Sequence, residues 1–132
     1  MSTTETATDR DAITAVVQLY IDGSATGDVS KLQEAFHPDA RMYGSLGDQR
    51  LDIPIAELYP MLEAKPMDVD GSYEASVTAV DQVDDAAVAR LEESGCWGNV
   101  SFVDFFLLAR IDGSWKIVSK SFAHTGGEPP AG

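Results

Sequence analysis

The side chains best suited to chemistry in this sequence are Asp104, Lys120 and His124, which fall in one stretch (NVSFVDFFLLARIDGSWKIVSKSFAH, 99–124), and Tyr20, far upstream. A carboxyl and an ammonium set among Phe and Leu residues make either a structural ion pair or the polar contacts of a ligand site. An imidazole is suited to proton transfer near neutral pH, and a phenol can donate a hydrogen bond to an oxyanion. For Tyr20 the plainer role is a core aromatic with a satisfied hydroxyl, and for His124 an exposed position near the chain end. Cys96 has no electropositive neighbour in sequence and reads as a small inert hydrophobe. His37 and His124 lie far apart with no carboxylate at ligand spacing, so neither a metal site nor a cofactor is expected.

Whether Asp104 and Lys120 meet depends on the register of the hairpin that carries them. A three-residue loop, 111–113, with Gly113 in the left-handed region, sets Asp104 opposite Lys120, on one face with Phe106, Phe122 and His124. A two-residue loop at Asp112-Gly113 instead sets Asp104 against Ser121 and turns Lys120 to the other face.

The rest of the chain must position this hairpin. A polar lead, 1–8, precedes a helix expected over 9–25, capped by Thr8 or Asp9, with Ile13, Val16, Val17, Tyr20 and Ser24 at helical spacing. Gly27 ends it, Asp28 opens a short second helix, and His37-Pro38 stops that one. A strand over 40–46, a turn at Gly47-Asp48 and a strand over 49–53 follow. Pro54 then opens a third helix, made short or kinked by Pro60. From Tyr73 the period becomes two: Tyr73, Ala75, Val77 and Ala79 alternate with polar residues, Asp84-Asp85 turns, and 87–92 returns. Ser94-Gly95 is a break, and 126–132 reads as a loose tail. Helices grouped before antiparallel strands predict an α+β fold, with one domain over 9–125.

At 132 residues there is room for one core, and an apolar fraction of 44% can fill it. With 22 acidic against 9 basic residues the net charge is −13, a surface that repels nucleic acid and anionic lipid. One cysteine excludes an intrachain disulfide, and no apolar run approaches a membrane span. A soluble, cytoplasmic protein is expected.

The order of these pieces, with Gly27-Asp28, Phe36-His37-Pro38-Asp39-Ala40, Asp104-Phe105-Phe106, 112–118 and Lys120, resembles the nuclear-transport-factor-2-like (NTF2-like) superfamily, nearest its "putative lumazine-binding" branch. The resemblance implies a cone: a curved antiparallel sheet wrapped around three N-terminal helices, with a pocket between them and homodimers formed through the sheet. A more distant resemblance is to ketosteroid isomerase. It places Tyr20 at that enzyme's oxyanion-hole tyrosine and Asp104 at its protonated aspartic acid, while the position of its carboxylate base is Gly44, beside Tyr43. The leading expectation is a small-molecule pocket lined by Tyr20, Tyr43, Trp97, Phe106 and Phe122, with Asp104, Lys120 and His124 as its polar contacts. The alternatives are an isomerase, dehydratase or cyclase using His124 or Asp104 for proton transfer and Tyr20 for the oxyanion, and a dimeric interaction module without chemistry.

Overall fold

The computed structural model describes residues 3–128, with side chains from residue 9 onward. Helix α1 (Thr3–Thr26) buries Ile13, Val17, Tyr20 and Ser24, spaced four, three and four residues apart along one stripe. It begins well before the expected start at Asp9, so most of the polar lead is helical. Asp9 is therefore no cap; its carboxylate accepts from Gln82 Nε2 (3.0 Å) and pairs with Arg110 (2.8 Å), tying the helix to the far end of the sheet. Gly27, at φ +75°, turns the chain into α2 (Val29–Ala35), where Asp28 caps through its side chain to the Ser30 and Lys31 amides.

Strands β1 (Phe36–Leu46) and β2 (Gln49–Pro54) form the first hairpin. The expected third helix is divided: a single 3-10 turn (Ile55–Glu57) follows Pro54, and α3 (Leu58–Ala64) starts after it. Pro60 thus falls in the first turn of α3, where a missing N–H costs no intrahelical bond.

β3 (Glu74–Val83), β4 (Ala86–Cys96), β5 (Val100–Ile111) and β6 (Ser114–Gly126) complete a curved six-stranded sheet of order β2-β1-β6-β5-β4-β3. All neighbours are antiparallel except β1 and β6, which run parallel. Bulges set which residues face the helices. In β3 the register shifts between Val77 and Ala79, so Val80 rather than Ala79 continues the inward phase. In β4 the shift between Glu93 and Cys96 contains Gly95, at φ +65°.

The last hairpin follows neither expected register. Its loop is the two-residue Asp112-Gly113, with Ile111 opposite Ser114, but a bulge between Leu108–Ile117 and Leu107–Ser119 shifts the pairing by one. Asp104 consequently faces Phe122, and Lys120 faces Phe106. The bulge returns both side chains to the inner face, so the expected grouping survives while the expected direct opposition does not.

Gly95 has no room for a side chain, since a Cβ there would lie far inside contact distance of the Ser72 carbonyl. Gly95→Ala should therefore lower stability by more than about 1 kcal/mol, the least expected where a positive φ and a backbone clash coincide. Urea unfolding of the variant, beside a Gly71→Ala control at an open positive-φ turn, measures the difference.

Candidate functional site: a buried polar row beside an apolar cavity

The concave face carries a diagonal of ionisable groups across three adjacent strands. Glu93 on β4 is opposite Phe102, Asp104 on β5 is opposite Leu91 and Phe122, and Lys120 on β6 is opposite Phe106 and beside Met42 of β1. Diagonal neighbours on one face of a sheet are within reach of long side chains. Glu93 is 3% exposed, Asp104 0% and Lys120 5%. Glu93 lies on the same parity as the buried Ala87, Ala89 and Leu91, which is how a charged residue reaches the core here.

The row is joined from both ends. Tyr73, just ahead of β3, donates its hydroxyl to Glu93 Oε2 at 2.7 Å. Tyr20 of α1 inserts its ring edge-on against Phe106 (5.0 Å between centroids) and Phe36 (5.9 Å), with its hydroxyl buried. The Ser24 hydroxyl, one turn on, is buried beside it.

Three carboxyl oxygens, Glu93 Oε1 and both of Asp104, are buried; no other donor reaches them among the described residues, and the two carboxyls meet each other. Two carboxylates side by side are acceptors only, so a proton held between them is what makes their contact favourable. Burial, then the neighbouring charge of Asp104, raises the Glu93 carboxyl well above its ordinary value, while Lys120 and the Tyr73 hydroxyl oppose the rise. Burial followed by the Glu93 charge raises both the Tyr20 and Tyr73 phenols, so each is a neutral donor. The same causes raise the Cys96 thiol and leave it unreactive.

Lys120 ends the row in unusual company. Its Nζ is 3.5 Å from Met42 Sδ, 4.7 Å from the centroid of the Phe122 ring and 5.3 Å from that of Tyr20. The expected ion pair with Asp104 is absent: Asp104 meets Glu93 instead, and the ammonium rests on a thioether and ring faces.

Beside Lys120 opens an apolar cavity of about 320 Å³ between α3 and the sheet, with Leu46, Leu51, Leu58 and Leu62 on its walls. Of the expected contacts, Lys120, Trp97 and Phe122 line it. Trp97 is held there by its indole N–H to the Lys65 carbonyl (2.8 Å) and by edge-on packing on Phe102. Tyr20, Asp104 and Phe106 are packed behind the wall, fully buried.

Tyr43 and His124 are elsewhere. Tyr43 alternates with the inward Met42 and Gly44 and so points to the outer face, where Arg41 covers its ring; it borders a separate, open groove of about 370 Å³ that also includes His124. Both imidazole nitrogens of His124 are engaged with backbone. Nδ1 accepts from the Gly47 amide (3.1 Å), which leaves the proton on Nε2 to be donated to the Gly126 and Gly127 carbonyls (3.0 and 2.8 Å). That ring ties the β1–β2 turn to the end of β6 and is not poised as a base. Nor can position 44 hold one: a Cβ on Gly44 would lie 2.6 Å from Phe122 Cδ1, Cε1 and O, so the Phe122 ring occupies the space of a side chain.

The carboxyl pair has a measurable consequence. A Glu whose pKa is raised on folding binds its proton more tightly in the native state, so its contribution is complete below the unfolded value near 4.3 and is lost as pH rises toward the folded one. Stability of the wild type should fall as pH rises above about 5, by at most about 1.4 kcal/mol per pH unit. Glu93→Gln should flatten that decline, as read from urea unfolding between pH 4 and 9.

Comparison with known proteins agrees with this architecture. The model of the family described as "Putative lumazine-binding" matches residues 8–123. An NTF2-like protein of unknown function from Methylobacillus flagellatus KT is 33% identical, with 95% of each chain covered and a TM-score of 0.82. A second, from Shewanella baltica OS155, is 26% identical over 95% of this chain and 97% of that one, with a TM-score of 0.81. Aldolase FrzH of a Cladobotryum species is 27% identical over 118 residues, 89% of this chain and 92% of the relative. A ketosteroid isomerase-like protein from Erwinia carotovora atroseptica SCRI1043 shares the fold at 17% identity, covering 86% of this chain and 94% of its own, with a TM-score of 0.68. The chain therefore belongs to the putative lumazine-binding family of the NTF2-like superfamily.

Proposed function

We propose that this protein binds a compact, partly aromatic or carbonyl-bearing small molecule in the cavity between α3 and the sheet. The observation that carries the reading is the buried Lys120 ammonium on a predominantly apolar wall, with no anion bonded to it among the described residues. A cavity of about 320 Å³ is at the small end of the range for ligand sites, and a few polar groups among mostly apolar walls (Gln49, Lys65 and Lys120) fix orientation while burial supplies affinity. Trp97, Phe102 and Phe122 offer ring edges and faces to a flat ligand.

A second reading, an enzyme of carbonyl chemistry, is favoured by the Glu93–Asp104 pair behind Lys120 and by the likeness to a relative named as an aldolase. The pair offers a proton donor and acceptor close to the cavity, with the Tyr20 and Tyr73 phenols as neutral donors in the row. At position 44, where the resemblance to ketosteroid isomerase would put that enzyme's base, the Phe122 ring fills the space of a side chain.

Native mass spectrometry of the purified protein, followed by Lys120→Met and Trp97→Ala, tests the binding reading. A co-purifying small molecule should be retained by the wild type and lost by both variants, with affinity reduced at least about tenfold, or 1.4 kcal/mol. Retention by both variants at unchanged affinity would place the ligand elsewhere.

We further propose that two copies pair through the outer face of the sheet. Phe105 (47% exposed) and Leu107 (53% exposed) stand on that face of β5, at its centre. An exposed apolar pair on a long central strand is a candidate for coverage by a second sheet. Sedimentation velocity should give a dimer for the wild type and a monomer for Phe105→Glu/Leu107→Glu.

A further inference from the structure

Resting on the reading of the cavity as a ligand site, we infer that Lys120 forms a covalent imine with an aldehyde or ketone held there. Three features of the site carry this. Lys120 is on a central strand, with its amine at the cavity wall and its stem buried, so the nitrogen is both accessible to a ligand and fixed in place. Its partners are a thioether sulfur and two ring faces, weak acceptors that yield readily to a reacting carbonyl. The third feature is the diagonal neighbour, the buried Glu93–Asp104 carboxyl pair, which can take a proton and give one back. By contrast Lys116, outside the cavity, donates to the Glu34 carbonyl at 2.7 Å.

The chemistry balances without any further reactant. The ammonium gives a proton to the carboxyl pair, and the freed nitrogen lone pair attacks the carbonyl carbon while the C=O π electrons move to oxygen. That oxygen takes a proton from the attacking nitrogen, which regains its lone pair, giving a neutral carbinolamine. The C–O bond then breaks as the nitrogen lone pair forms C=N, and the hydroxyl leaves as water with a proton returned by the pair. Of the hydrogens on the ammonium, two depart in the water and one stays on the iminium nitrogen, so nothing is oxidised or reduced. Apolar walls favour loss of that water. An uncharged aldehyde or ketone is the class that fits, since a net charge of −13 disfavours the approach of phosphorylated or carboxylated carbonyls.

Benzaldehyde is a suitable probe, being compact, aromatic and uncharged. The protein is incubated with it and quenched with borohydride, which fixes existing imines as secondary amines, and benzylated lysines are located by peptide mass spectrometry. Lys31 and Lys116, outside the cavity, serve as internal standards for ordinary reactivity. Labelling of Lys120 should exceed the standards by about tenfold or more, as expected when a pocket concentrates and orients the carbonyl. Lys120→Arg, which keeps the cation, should abolish the excess without new labelling at the standards. Saturation-transfer NMR of benzaldehyde on the unreduced protein separates the two levels of the claim. Binding detected with Lys120 unlabelled overturns the imine and leaves the binding site standing; neither binding nor labelling at Lys120 removes both.

Discussion

An interior that holds two carboxyls and an ammonium on one face of a sheet depends on sharing charge and protons among them, because isolated charges are too costly to bury. Here a proton on Glu93 leaves the carboxyl pair with one negative charge to set against the one positive charge of Lys120. The balance is struck along a row, since the ammonium does not touch Asp104 and rests instead on Met42 and two aromatic rings. Tyr73 anchors the far end through its bond to Glu93, and Tyr20 covers the middle from the helix side. The polar row and the apolar cavity are therefore parts of one arrangement, meeting at Lys120.

That arrangement is set by backbone irregularities more than by regular strands. The bulge in the β5–β6 pairing cancels the parity change that a two-residue loop would otherwise impose on Lys120. The bulge of β4, with Gly95 in the left-handed region, follows directly on Glu93 and leads to Trp97, itself at φ +54°. Shifting either bulge by one residue would turn a member of the row, or the indole at the cavity wall, out of the interior.

Much of the architecture was legible in the residues. The helical stripe of α1, the Asp28 cap, the strand alternation and the Asp112-Gly113 turn each follow from local chemistry. The site was only partly legible, for identifiable reasons. Grouping Asp104 with Lys120 was correct in face but not in pairing, because a bulge has no marker in the sequence VSKS. Glu93 was missed, although counting by twos from Ala87 through Leu91 reaches it; a glutamate at the end of a strand reads as surface when its partners are unknown. Tyr43 was set in the pocket by its aromatic character, whereas strand parity turns it outward. His124 looked free at the chain end, yet three backbone groups far apart or just beyond it in sequence hold its ring.

The Phe122 ring fills the space that a side chain at position 44 would need, so the polar side chains of the concave face stand at other inward positions. Here those positions lie on β4, β5 and β6, so the shared proton of the Glu93–Asp104 pair is the central physical claim. A side-chain carboxyl titration by ¹³C NMR, with assigned glutamate and aspartate resonances, observes that proton directly. One carboxyl of the pair should remain protonated well above the ordinary carboxylate range; if both complete their titration between about pH 3 and 5, the account of the interior is wrong.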